Sequence, residues 1–296
     1  IRNSEEDTMS LRRLQIFLEV AARGSFAAAA DRLGLAQSAV SMQMRTLEQE
    51  LGADLFDRSR RPPVLNDRGA ALIPKAMAIL TQYEDLKQTV QPDGHIAGTL
   101  RLGVIQTAST GVLPGALTSL HERFPDLRVR IESGLSAGLL GRVAHWELDA
   151  AILTAPDRLP PELKGHLIFE EPLSVIAPSA LAGASDAELL TRHPFIRFNR
   201  RTGVGRIIEH GLRGRGLAVD EAMELVAIEP IIEMVSCGLG VAVVPAYALD
   251  PGTRDAIRVL PFGDPVATRK VIVVERHAST RSALTAVLVR ALTGLL

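Results

Sequence analysis

Cysteine and long apolar runs are scarce in this chain. Its 296 residues include one cysteine, Cys237, so an internal disulfide framework and a cysteine-rich zinc site are excluded. Because Cys237 lies in an apolar run, residues 231–238, we expect a buried structural thiol rather than a redox sensor. No apolar run reaches the roughly 20 residues that span a bilayer. Residues 1–8 are polar and acidic, unlike a signal peptide, so we expect a cytoplasmic protein that naturally starts at Met9.

Sequence motifs for catalysis, cofactors and metals are also missing. There is no Gly-x-Ser-x-Gly turn, no phosphate-binding loop and no His-Glu-x-x-His, and the glycine pairs 203/205 and 238/240 lack the third glycine of a dinucleotide fingerprint. The seven histidines are dispersed, with no pair at metal-ligand spacing on one helix. We therefore expect no enzyme, no cofactor and no metal site, although a Ser/His/Asp set assembled only by folding would escape this search.

Residues 25–48 predict a helix-turn-helix, with a short helix, a turn at Gly34 and a second helix. Val40, Met44, Leu47 and Leu51 recur at helical spacing and predict a buried face of the second helix. The polar residues outside this buried face can reach bases and phosphates in a major groove. These predicted DNA contacts are Ser25, Gln37, Ser38, Ser41 and Arg45. The alternative is an amphipathic hairpin without a DNA-binding role.

A compact basic segment follows the predicted helix-turn-helix. Arg58, Arg60 and Arg61 lie just before a pair of prolines, where a wing would contact the phosphate backbone. The alternative is a solvated charged turn. The net charge of the whole chain is −1, and residues 10–68 carry nine arginines against seven acidic residues. This modest excess favours a local basic patch that is doubled by oligomerisation.

A long helix is predicted after this head. Asn66 is a good N-cap, and apolar residues then recur at heptad spacing up to a Pro-Asp-Gly segment near residue 94. Pro74 predicts a local kink in the first two turns. The seam is expected to pair two chains, or alternatively to pack against the chain's own domains. It consists of Leu72, Ala76, Ile79, Tyr83, Leu86 and Val90, of which Leu72, Ile79, Tyr83 and Leu86 are the predicted dimer contacts.

From residue 98 onwards, short apolar strands alternate with helices. Two consecutive β-α-β-α units imply two parallel-type sheets covered by helices. The predicted strands are residues 100–105, 127–131, 149–153, 173–177, 195–198, 223–226, 241–244 and 270–274. The predicted helices lie near residues 112–123, 136–146, 186–192, 203–213, 230–237 and 280–295.

The carboxyl ends of the predicted strands are polar, which predicts a ligand site between the two units. Hydroxyls with an arginine at helix starts suit a small anion, most simply a carboxylate. For each hydroxyl alone, helix capping is the alternative role. The predicted effector contacts are Thr107, Ser109, Ser136, Thr154, Asn199, Arg201 and Thr202, and Arg197 or Arg200 could take the place of Arg201.

Over residues 9–296 the chain resembles the LysR-type transcriptional regulators. The motifs that carry the resemblance are residues 14–30, Gln37–Ser41, Leu47-Glu48, Leu55–Arg58 and Gly238–Pro245. The resemblance implies a dimer through the linker helix, commonly a tetramer, and a periplasmic-binding-protein-like domain whose ligand alters DNA bending. It also implies DNA contacts at Gln37, Ser38 and Ser41, with the wing at Arg58. The chain departs from the family pattern at Ala36, where a capping Ser or Thr is usual, at Met42, where an arginine is usual, and at Asn66, where a threonine is usual.

The predicted fold class is α/β, with a winged helix-turn-helix at residues 9–67 and a linker helix at residues 68–93. An effector domain follows, in which one subdomain comprises residues 97–168 and 270–296 and the other residues 169–269. The predicted function is sequence-specific regulation of transcription by a homotetramer on double-stranded DNA, modulated by a small anion. The alternative is an intracellular solute-binding protein or enzyme that uses the N-terminal helices only for oligomerisation.

Overall fold

A computed structural model describes residues 11–60, 62–89, 96–181, 185–249, 257–279 and 281–294. The chain forms two compact units that meet in sequence between His95 and Ile96. No helix within these described ranges combines the length and apolar character that crossing a membrane requires.

The first unit contains three short helices, a two-stranded hairpin and a long helix. The elements are α1 (Leu11–Arg23), α2 (Phe26–Leu33), α3 (Gln37–Leu51), β1 (Phe56–Asp57), β2 (Val64–Leu65) and α4 (Asp67–Thr89). Helix α2 ends at Gly34, whose φ of 65° lies in the left-handed region that favours glycine. The turn at Gly34 and the helices on either side of it confirm the predicted helix-turn-helix.

A small apolar core holds this unit together. The ring of Phe56 contacts those of Phe26 and Phe17, with centroids 4.9 and 6.1 Å apart. Val40, Met44 and Leu47 of α3 are fully buried in this core, as the periodicity predicts. Leu51 is 39% exposed, so its predicted burial is wrong. It is the last residue of α3, and the chain turns away at Gly52 before Leu51 can reach the core.

The second unit contains nine strands and the helices between them within its described ranges. The strands are β3 (Gly98–Val104), β4 (Leu127–Ser133), β5 (Ala150–Thr154), β6 (Leu163–Pro178), β7 (Pro194–Phe198), β8 (Asp220–Leu225), β9 (Val241–Pro245), β10 (Ile257–Pro261) and β11 (Thr268–Arg276). The helices are α5 (Gln106–Ser109), α6 (Leu113–Arg123), α7 (Ser136–Ala144), α8 (Asp186–Arg192), α9 (Gly203–Gly214), α10 (Ile228–Ser236) and α11 (Ser282–Leu292), with a 3₁₀ turn at Ala246–Ala248.

Two mixed sheets share the long strand β6. Its first part pairs with β11 up to Pro172, and its last part pairs with β9 and β10 from Leu173 onwards. Strand β3 is parallel to β4 and β5, and β7 is parallel to β8 and β9, but β11 is antiparallel to β5 and β6. The sheets are therefore mixed rather than parallel, because the chain crosses between them twice. The sequence prediction found only the last part of β6 and missed β10.

Each sheet supports a separate apolar core, so the unit has two lobes. The first lobe (the described residues of 96–172 and 268–294) and the second lobe (the described residues of 173–267) each bury an apolar cluster between sheet and helices. Cys237 belongs to neither cluster and is exposed, so the predicted buried thiol is wrong. It follows the last residue of α10, whose buried face is formed by Ile228, Ile231, Ile232 and Val235.

Candidate functional sites

The recognition-type helix α3 presents a polar face to solvent. Gln37, Ser38 and Arg45 are exposed and Ser41 is half-buried, while Met42 is 60% exposed. No side chain caps the start of α3 at Ala36. The N–H of Ala39 donates to the carbonyl of Ala36 at 3.0 Å, which leaves those of Gln37 and Ser38 for an acceptor such as a phosphate oxygen.

A small cleft brings residues from three elements together. Its volume is about 110 Å³, and its lining includes Ser25, Gln37, Ser41 and Arg58. Ser25 caps α2, with its hydroxyl accepting from the N–H of Ala28 at 3.4 Å. Four side chains predicted as DNA contacts thus lie at one surface, although 33 residues separate Ser25 from Arg58 in sequence.

A buried carboxylate orients the first wing arginine. Glu48 is 7% exposed, and its Oε1 accepts from the N–H groups of Leu55 (2.8 Å) and Phe56 (3.2 Å). Its other oxygen accepts from Nη2 of Arg58 at 2.6 Å. Glu48 therefore fixes both the backbone at the base of the wing and the arginine side chain. The sequence signal was an acid on the buried face of α3, which the prediction did not use.

The wing turn is ordered by Asp57, whose Oδ1 accepts from the hydroxyl (2.6 Å) and N–H (2.9 Å) of Ser59. These two hydrogen bonds lower the pKa of Asp57. Arg60 lies 3.6 Å from the same carboxylate with its side chain 71% exposed. Arg61 lies outside the described residues. Arg45 and Arg58 also line a shallow depression with Arg68, a residue that the sequence prediction missed.

Helix α4 has two different halves. Asn66 caps it by accepting from the N–H of Gly69 at 2.9 Å. Ala76 is fully buried, and the half-buried Leu72 and Ile79 pack against the core of the first unit. Further along, Tyr83 and Leu86 are 39% and 62% exposed. Val90 lies outside the described residues. The first half of the predicted seam thus packs within the unit, and the exposed apolar residues come after it.

The second unit contains a cavity of about 340 Å³ between its lobes. Residues 105–107, 133–136 and 154 line it from the first lobe, and residues 198, 202–204 and 226 from the second. This size falls in the range of small-molecule sites. Four of the seven predicted effector contacts lie in its wall, namely Thr107, Ser136, Thr154 and Thr202.

Two helices begin at the cavity wall. Helix α7 starts at Ser136 without a side-chain cap, and α9 starts at Gly203 after Thr202, whose hydroxyl accepts from the N–H of Gly205 at 2.8 Å. Ser136 is 5% exposed, and its buried hydroxyl has no hydrogen-bond partner in the described part of the chain. Gly203 allows α9 to approach β5, because a Cβ there would lie 2.5 Å from Cβ of Thr154.

Three predicted effector contacts do not line the cavity. Ser109 donates to the carbonyl of Gln106 at 2.6 Å, and Asn199 accepts from the N–H of Arg201 at 2.8 Å. Arg201 is exposed. Arg197 and Arg200, the two arginines considered in its place, do not line the cavity either, and both form ion pairs with Glu221. Ser109 thus serves the local structure of the first lobe, and the other side chains serve that of the second lobe.

The sequence prediction missed a buried polar cluster behind the cavity. Arg269 is 1% exposed and donates to Oε1 of Glu171 (2.5 Å) and to the hydroxyl of Thr107 (2.8 Å). Tyr247 donates to the carbonyl of Thr107, and its ring lies 5.4 Å from the Arg269 guanidinium carbon. Burial raises the pKa of Tyr247, so the phenol stays protonated at neutral pH. No sequence signal connects these residues, because sheet pairing places Arg269 opposite Glu171 and only the folded chain brings Thr107 and Tyr247 beside them.

Family models match both units. The model "Bacterial regulatory helix-turn-helix protein, lysR family" covers residues 11–70, and the model "LysR substrate binding domain" covers residues 93–296. The HTH-type transcriptional regulator CzcR of Bacillus thuringiensis (strain Al Hakam) is 32% identical over 84% of this chain and 82% of its own. A probable RuBisCO transcriptional regulator of Cyanidioschyzon merolae is 31% identical over 81% of this chain and 82% of its own.

Solved structures agree with these matches. A full-length OxyR variant from Pseudomonas aeruginosa has a TM-score of 0.77 and 27% identity, covering 96% of this chain and 95% of that one. CbnR, a LysR family regulator, has a TM-score of 0.64 at 19% identity over 97% and 99% of the two chains, which supports the fold alone. A helix-turn-helix and a two-lobed effector domain in one chain, each matched by its own family model, identify the function. The chain belongs to the LysR family of transcriptional regulators, which bind DNA and respond to a ligand.

Proposed function

We propose that this regulator binds double-stranded DNA as a homo-oligomer and responds to a small anion, a carboxylate, in the cavity between its lobes. The observation that carries the anion is the buried Ser136 hydroxyl, which lacks a partner in the described chain at the start of α7. A hydroxyl and two helix N-termini supply donors and positive dipoles, which favour a negative ligand group. The anion is held in this way without an arginine.

Ser136→Ala tests this proposal with a panel of small carboxylates followed by calorimetry. Losing one hydrogen bond to a charged group costs about 1.5–3 kcal/mol, so affinity for the carboxylate should fall at least tenfold. Ser236→Ala is the matched control, because that hydroxyl donates to the carbonyl of Ile232 within α10 and does not line the cavity. Equal affinity in the wild type and Ser136→Ala would contradict the site, and a panel without any binder would contradict the ligand class.

The proposed DNA surface comprises α3 and the wing. Its support is the cleft that joins Ser25, Gln37, Ser41 and Arg58, and the exposure of Ser38, Arg45 and Arg60 on the polar side of the same elements. Arg61 is included in this surface only because it follows Arg60 in the sequence. The arginines would contact phosphates, while the hydroxyls and the amide would contact base edges.

We propose that α4 pairs two chains through its later turns. Tyr83 and Leu86 are the exposed apolar residues that a partner helix would cover. Leu72 and Ile79 contribute less to this contact, because both already pack against the core of their own unit. The tetramer rests on the family resemblance, and the cytoplasmic location is proposed because a transcriptional regulator acts on DNA.

A catalytic role has no support in the cavity. Among the described residues that line it, none carries a side chain suited to general acid–base chemistry at neutral pH. This argues for ligand binding without turnover, and effector binding would act by favouring one arrangement of the lobes.

The chain does not favour a peroxide response, although one solved neighbour at 25% identity, a cysteine-to-serine mutant of OxyR from Corynebacterium glutamicum, is named as bound to H2O2. This chain has a single cysteine, so it cannot form a disulfide within one molecule. Cys237 follows α10 and does not line the cavity. Replacing Cys237 with serine should leave the response to the effector unchanged, and a reporter gene under the regulator's control would measure this.

A further inference from the structure

A second cavity adjoins the first one. Its volume is about 320 Å³, and it shares Gln106, Thr107 and Val226 with the cavity between the lobes. Because these residues line both spaces, a single small molecule can contact both. The two cavities differ in chemistry, and that difference constrains the ligand.

The second cavity contains an acidic residue. Glu229 lies in its wall, in the first turn of α10, and is an exposed residue. The helix N-terminus makes a carboxylate tolerable at this position but supplies no counter-ion. No lysine, arginine or histidine lines this cavity in the described chain, and no ion pair of Glu229 is found there.

A buried cation bonded to Thr107 in the cavity wall is already neutralised. Arg269 pairs with Glu171 at 2.5 Å and stacks on Tyr247, whose own N–H donates to Glu171 at 3.3 Å. Neither Arg269 nor Glu171 lines the second cavity. Glu229 therefore sets the sign of the charge in this space, while the first cavity offers helix N-termini and the Ser136 hydroxyl.

We infer that the effector is dipolar, with an anionic group in the first cavity and an ammonium group in the second, beside Glu229. An ammonium group would donate charge-assisted hydrogen bonds to the Glu229 carboxylate and, with its other protons, to the carbonyl or hydroxyl oxygens of Gln106 and Thr110. This inference rests on the proposed anion site and narrows its ligand to amino acids with a separated amine and carboxylate.

Matched ligand pairs test the inference. Calorimetry at pH 7.5 would compare straight-chain alkanoates of four to six carbons with the ω-aminoalkanoates of equal length. A charge-assisted hydrogen bond predicts that at least one aminoalkanoate binds about tenfold tighter than its alkanoate. In Glu229→Gln this ratio should fall to about one, while alkanoate affinity stays the same or improves.

Glu233→Gln is the matched control, because Glu233 lies one turn later on α10, is exposed and lines neither cavity. It should keep the wild-type ratio. If alkanoates bind but no aminoalkanoate binds more tightly, or if Glu229→Gln retains the preference, the dipolar ligand is refuted and the anion site stands. If neither series binds to the wild type, the anion site fails and the inference fails with it.

Discussion

Arg58→Ala separates two roles of one arginine. The guanidinium of Arg58 is bonded to the buried carboxylate of Glu48 at 2.6 Å, and the arginine side chain remains 37% exposed. The proposed DNA surface needs its charge for a phosphate, whereas the first unit needs it as the partner of Glu48. The substitution should therefore change both DNA binding and stability.

The effect on DNA binding is measured as a salt slope, and the effect on stability as a free energy of unfolding. Loss of one phosphate contact should reduce the slope of log affinity against log salt concentration by about 0.9 on B-form DNA. Removing one partner of a fully buried ion pair costs about 3–5 kcal/mol, but Arg58 is more than a third exposed, so water screens the loss. Glu48 also keeps its bonds to two backbone N–H groups. We expect a loss of about 1 kcal/mol in the free energy of unfolding.

Arg60→Ala is the matched variant, because the Arg60 side chain is 71% exposed and its Nε lies 3.6 Å from Oδ2 of Asp57. It should show the same change in salt slope with an unchanged free energy of unfolding. Arg128→Ala, at an exposed position of the second unit, controls for net charge and should change neither quantity. DNA affinity would be measured by fluorescence anisotropy at four salt concentrations, and stability by urea unfolding. An unchanged salt slope in Arg58→Ala and Arg60→Ala would refute the wing assignment.

Three further predictions follow from other parts of the chain. Leu86→Glu should give monomers in sedimentation, because it puts a charge at a 62% exposed apolar position of α4. Leu167→Glu, at a 54% exposed position, should leave the assembly intact. An intact oligomer in both variants would contradict pairing through α4. Burial alone would raise the pKa of Asp186, but hydrogen bonds from Arg215 and Gly263 outweigh it and lower this pKa. The carboxylate therefore stabilises the fold above its unfolded pKa of about 4 and loses this effect as pH falls further. Asp186→Asn should reduce the free energy of unfolding at pH 7, and this reduction should shrink below about pH 4 in urea titrations. Gly203→Ala should lower the free energy of unfolding by about 1–3 kcal/mol by overpacking against Thr154, and Gly214→Ala, with open space around it, should not; equal stabilities would contradict the close approach of α9.

The sequence by itself determined the local elements and the family. The turn at Gly34 and the buried Val40, Met44 and Leu47 follow from backbone preference and helical periodicity, which depend on neighbouring residues alone. The cap at Asn66 is equally local. Polar residues after parallel strands predicted a ligand site. Thr107, Ser136 and Thr154 do line the cavity, because the strand ends of the first lobe's sheet meet at one edge, and Thr202 lines it from the second lobe.

Only the tertiary structure decided which arginines could bind a ligand and which ones pair with acidic side chains. Arg197 and Arg200 are taken up by Glu221, and Arg269 meets Glu171 across paired strands, although 98 residues separate them. The same holds for the pairing of Arg58 with Glu48 and for the exposure of Cys237. Periodicity predicts which face of a single helix or strand is buried. An ion pair or a buried hydroxyl depends instead on the side chains that another element places next to it, and sheet pairing and lobe packing determine those.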